Sequence, residues 1–94
     1  MNKLITEAGL TYLLDALTNE NPDEDPDVIS KILKLAESDT PEGNVLATVI
    51  RDIDVMTNAP EPDGNLISAM EALLVETAHQ MLHRIELIEA KEEE

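Results

Sequence analysis

Leu66–Ile88, LISAMEALLVETAHQMLHRIELI, decides the fold. Within it Leu66, Ile67, Met70, Leu73, Leu74, Ala78, Met81, Leu82, Ile85 and Ile88 recur at intervals that place side chains on one face of an α-helix. Neither proline nor glycine interrupts the run. The pattern lasts for more than about six turns, or roughly 35 Å at 1.5 Å per residue, and so predicts a long C-terminal helix that serves as a spine for shorter ones. At its end Glu89, Glu92, Glu93 and Glu94 oppose the helix dipole and only Lys91 favours it, so fraying is expected over residues 90–94.

Upstream, Asn58–Gly64 carries Pro60 and Pro62 among acids and reads as a rigid turn. Before it, Val45, Leu46, Val49, Ile50, Ile53 and Met56 share one helical face while Arg51, Asp52 and Asp54 look away. A strand is the competitor, because β-branched residues are frequent here, but alternation fails at Val45-Leu46 and Val49-Ile50. Thr40 as N-cap and Pro41 in the first turn start this third helix, with Glu42 favoured by the dipole.

Asp25 and Pro26 repeat that start signal for a second helix. Its apolar face holds Val28, Ile29, Ile32, Leu33, Leu35 and Ala36, and its polar face holds Ser30, Lys31, Lys34 and Glu37. Residues 19–26, with Pro22 and Pro26 between carboxylates, form a loop. The first helix is expected over about residues 3–19, from Leu4, Ile5, Ala8, Tyr12, Leu13, Ala16 and Leu17, with Leu10 and Leu14 forming a second stripe. A helix apolar over most of its circumference must be covered on several sides. Gly9 costs it about 1 kcal/mol relative to Ala, and either close approach of another helix or simple tolerance explains its presence. The chain therefore reads as one all-α domain, a small up-and-down bundle of three to four helices with a long C-terminal helix.

Composition sets the surface. Among 94 residues there are 21 Asp and Glu against 6 Lys and Arg, a formal charge of −15, yet 43% of residues are apolar, too many for a disordered chain. Phe, Trp and Cys are missing and Tyr12 is the single aromatic residue, so the core is aliphatic and no disulfide or thiolate site exists. Lys3 is followed by only Leu4-Ile5 before Thr6 and Glu7, which gives no signal-peptide stretch, and the chain is expected in the cytoplasm. Direct nucleic acid and membrane partners are disfavoured because their surfaces are themselves anionic.

Chemistry-bearing patterns are incomplete. His79 and His83 lie four residues apart with Glu76 one turn earlier, but the set lacks the intervening Glu of a zinc hydrolase helix and the second Glu-x-x-His of a di-iron bundle. All three are expected on the solvent side unless an oligomer covers them, with no metal bound by the single chain. Asp23, Asp25 and Asp27 alternate like the start of a calcium loop, yet Val28 stands where its glycine belongs and Lys34 where its bidentate Glu belongs. No phosphate-cradling glycine loop and no nucleophile–base signature are present, so neither a catalytic residue nor a cofactor is expected. Tyr12 is expected in the core with its hydroxyl hydrogen-bonded.

The acids carry the functional content. Glu71, Glu76, Glu86 and Glu89 lack a Lys or Arg four residues away on the same helix, and Asp23, Glu24, Asp25, Asp27, Asp52, Asp54, Glu61 and Asp63 extend the single sign. Such a field speeds association with basic proteins and can stand in for phosphates in a nucleic-acid groove. The expectation is a non-enzymatic regulator or inhibitor that binds a basic protein surface through Glu71, Glu76, Glu86, Glu89, Asp23, Asp25 and Asp27, a profile that also suits small inhibitors carried by mobile elements. The bland alternative is that the charge only maintains solubility. A different class of function is a homo-oligomeric assembly protein. A homodimer is expected through the apolar faces of the first and last helices, with Leu10, Leu13, Leu14, Leu17 and Met81 at its interface.

Overall fold

The computed structural model describes residues 4–93, of which the Glu93 side chain is left aside. Lys3, where the first helix was expected to begin, and Glu94 of the acidic tail lie outside those residues. Four helices follow one another: α1 (Glu7–Glu20), α2 (Pro26–Glu37), α3 (Pro41–Thr57) and α4 (Gly64–Glu93). Each touches the other three, and no strand occurs among the described residues. This is the all-α bundle with a long last helix. At 30 residues, α4 is about 45 Å long, nearly the full 51 Å of the molecule's longest axis.

Side chains and prolines set the helix starts. Thr6 is extended, and its Oγ1 accepts the Gly9 N–H at 3.0 Å. The helix therefore begins at Glu7 and not near residue 3, because the cap satisfies a first-turn donor while turning the chain out of the helix. Asp25 and Thr40 cap α2 and α3, accepting from the N–H groups of Asp27 and Gly43, with Pro26 and Pro41 following. Asp63 does the same for α4, accepting from Asn65 and Leu66 at 3.0 and 3.2 Å. At the other end of α3, the Asn58 side chain donates to the Asp54 carbonyl at 2.9 Å.

Leu13 and Leu17 of α1, Ile32 of α2, Leu46 and Ile53 of α3 and Leu74 of α4 are the large residues sealed in the core. With Ala16, Ala36, Ala47 and Ala78 they let the helices close without any aromatic side chain in the sealed centre. Gly9 sits at a close approach: a Cβ there would meet Ile50 of α3 at 3.2 Å and Ile5 at 3.3 Å. Gly43 is tighter, since its Cβ would lie 2.5 Å from the carbonyl oxygens of both Leu35 and Ser38. The end of α2 thus presses its backbone onto the start of α3. Ser38 fastens the turn by donating to Leu35 at 2.6 Å and pairing with the Thr40 hydroxyl at 2.8 Å.

The apolar stripe of α4 is wider than the face it buries. Leu74, Val75, Ala78 and Leu82 are buried, and Ile67, Met70, Met81 and Ile85 are half-buried against them. Leu66, Leu73 and Ile88 belong to the same sequence stripe but stay exposed. The helix is rotated toward Val75, which the stripe omitted, and α1 and α3 do not reach around its far side. Val45 on α3 is exposed as well, although the spacing put it on the core face.

Candidate interaction surface

The carboxylates singled out from sequence separate into groups. The loop between α1 and α2 leaves Asp23, Asp25 and Asp27 exposed, with the Asp25 side chain engaged as the α2 cap. Glu24 is half-buried and hydrogen-bonded to Nε2 of His79, which lays the loop onto the middle of α4, one turn from exposed Glu76. Glu76 in turn accepts a long hydrogen bond of 3.4 Å from Gln80.

Glu86 and Glu89 lie elsewhere. They share a groove of about 490 Å³ with Lys31 and Lys34 of α2, floored by Leu82 and Ile85. No ion pair joins the two signs there among the described residues, yet the lysines reduce the field that helix-local spacing had left uncompensated. Glu71 points inward and is half-buried beside Tyr12. The expected seven-residue contact set is therefore not one surface. The Glu24–His79 contact brings the loop of Asp23 and Asp25 to the part of α4 that bears Glu76; Glu86 and Glu89 share a groove with two lysines, and Glu71 is half-buried beside Tyr12.

His79 corrects the expectation of a solvated pair. Its ring is half-buried, Nδ1 lies 2.8 Å from the Val75 carbonyl and Nε2 faces the Glu24 carboxylate. Both neighbours are acceptors, so only the imidazolium, with a proton on each nitrogen, satisfies both. Burial lowers its proton affinity, but the hydrogen bond to Glu24, the Val75 carbonyl and the Glu24 charge outweigh that and raise the pKa above the ordinary histidine value. His83 remains exposed. Among the described residues no group of three or more His, Asp or Glu side chains is arranged around a metal position.

Tyr12 is also corrected. Its hydroxyl is buried and has no hydrogen-bond partner among the described residues, although a partnered one was expected. Burial first, and then the neighbouring Glu71 carboxylate, push its pKa up, but no hydrogen bond of normal geometry joins the two side chains. A buried hydroxyl left in that state costs about 1–3 kcal/mol. Beside it a groove of about 550 Å³ runs between the start of α1 and the second half of α3, walled by Ile5, Ala8, Ile50 and Ile53 with Arg51 and Asp54 as its charged groups. Neither histidine lines it.

The expected oligomer interface changes most. Leu13 and Leu17 have no exposed surface, so the chain's own core uses them and neither can meet a second copy. Leu10 and Met81 are half-buried against that core, and only Leu14 stands free at 38% exposure. A helix covered on several sides is what α1's broad apolar surface demanded, and α2, α3 and α4 supply the cover. Free apolar surface lies on α3 at Val55, which is 69% exposed, and along α4 at Leu66, Leu73 and Leu87, which are 49%, 47% and 53% exposed.

Ion pairing was missed by sequence reading because both pairs are long-range. Glu24 and His79 are 55 positions apart, and Glu42 and Arg84 are 42 apart. In the second pair Nε donates to Oε1 at 3.2 Å, holding the buried Glu42 at the start of α3 against α4. Comparison with protein-family models, with curated proteins and with solved structures found no match. No helix among the described residues is long and apolar enough to cross a membrane.

Proposed function

We propose that this chain is a cytoplasmic, non-enzymatic binding protein that docks on a basic surface of a protein partner and blocks that surface by shape and charge. One observation carries the reading: among the described residues only Glu24 and Glu42 are ion-paired, in a chain of formal charge −15. The remaining exposed carboxylates keep a field that attracts cationic surfaces and repels phosphate backbones. Asp23, Asp25, Asp27 and Glu76 are the contacting acids in this reading, with Glu86 and Glu89 secondary because Lys31 and Lys34 stand beside them.

Immobilised protein is expected to retain basic proteins from a host lysate at low salt and to release them at high salt, since exposed charge pairs are screened. It is expected to leave duplex DNA unbound. Retention of DNA itself, or of no protein at low salt, contradicts the reading.

A further inference from the structure

The outer face of α4 carries exposed leucines at a heptad interval. Leu66, Leu73, Gln80 and Leu87 follow one another at intervals of seven residues, and all are exposed. Residues three positions after each, Ala69, Glu76, His83 and Ala90, are exposed too. A repeat of seven is the spacing at which one helix meets another along a seam, and it is distinct from the inner face of Leu74, Ala78 and Leu82 that the bundle uses. Small Ala69 and Ala90 leave room beside the leucines for a facing backbone to approach.

We infer that this face binds an amphipathic helix of a partner protein, one with Leu-like side chains along its seam and Lys or Arg along one edge. The charges choose that occupant. Glu76 stands in the seam itself, and the flank beside it carries the loop bearing Asp23, Glu24 and Asp25, which His79 holds against α4, while Glu86 further along that flank shares its groove with Lys31 and Lys34. The opposite flank carries Arg84, already paired with Glu42, and Lys91. A second copy would set one chain of charge −15 against another and bring acidic loops toward the same seam, whereas a basic edge meets carboxylates. Leucines exposed beside acids supply the apolar anchor that a purely electrostatic contact lacks.

This inference rests on the basic-partner reading and adds the partner's secondary structure and the place where it docks. The probe is a synthetic peptide of three heptads with leucines on the seam and lysines along one edge, compared with a scrambled peptide of the same composition. Calorimetry is run at low and high salt with the natural chain and with Leu73→Gln, an exposed position whose change leaves the core intact. The ordered peptide is expected to bind at least about tenfold more tightly than the scrambled one, to persist better in salt, and to lose about tenfold or more with Leu73→Gln. Equal binding of both peptides, or no effect of Leu73→Gln, overturns the helix-docking site while leaving the basic-partner reading in place. Binding of neither peptide at low salt removes both. A dimer by light scattering that Leu73→Gln dissociates assigns the face to a second copy and overturns the inference.

Discussion

The junction of α2 with α3 and the outer face of α4 are built from opposite materials. At the junction the fastening is polar and backbone-made: Gly43 lets the Leu35 and Ser38 carbonyls come within 2.5 Å of where a Cβ would stand, Ser38 and Thr40 hold the turn, and buried Glu42 reaches Arg84. On the outer face Leu66, Leu73 and Leu87 are about half exposed. The polar region is closed and the apolar region is open. Apolar pattern alone therefore locates helices better than it locates where they are clamped.

The largest expected effect breaks the closed side. Gly43→Ala sets a methyl group against two backbone oxygens that cannot rotate away, so the turn must move, and a loss of about 3 kcal/mol is expected in urea denaturation. Gly9→Ala is the control. Its new methyl meets flexible ends of Ile50 and Ile5 at 3.2 and 3.3 Å, and better helix propensity offsets the crowding, so a change within about 1 kcal/mol is expected. Equal losses at both glycines contradict the backbone clamp.

A smaller effect tests the strap between the acidic loop and α4. The folded-state pKa of His79 lies above its unfolded value. Its contribution is therefore fully present below the ordinary value of about 6.5 and is lost as pH rises through the folded-state pKa. Partial exposure limits the contribution to about 1 kcal/mol. The stability difference between the natural chain and His79→Gln is expected to be greatest at mildly acid pH and to vanish at alkaline pH. Taking the difference cancels the general repulsion among the other carboxylates. A difference independent of pH means that no imidazolium bridges Glu24 and Val75.

Legibility in the sequence followed the range of the interaction. Caps at Asp25 and Thr40, prolines at Pro26 and Pro41, and the existence of the long α4 are local, and each stands where the sequence put it. The start of α1 was misplaced because Leu4 and Ile5 continue the helical spacing while Thr6, one residue later, stops it. Burial was harder. Leu73 and Leu74 are adjacent and chemically identical, and only the rotation of α4 against its neighbours leaves one 47% exposed and the other sealed. The acids were read as a surface from composition, but which of them share a region depended on Glu24 meeting His79 and on Lys31 and Lys34 standing beside Glu86 and Glu89. Contacts across that many residues leave no mark in a single sequence.

Those adjacent leucines also give the most direct test of an α4 with one face consumed by the fold and the other left free. Urea denaturation of Leu74→Ala and Leu73→Ala, measured at protein concentrations low enough that the midpoint no longer depends on concentration, compares the two faces one residue apart. Leu74→Ala is expected to lose about 2–5 kcal/mol and Leu73→Ala to stay within about 0.5 kcal/mol of the natural chain. Comparable losses at both positions, or the larger loss at Leu73, would contradict the account.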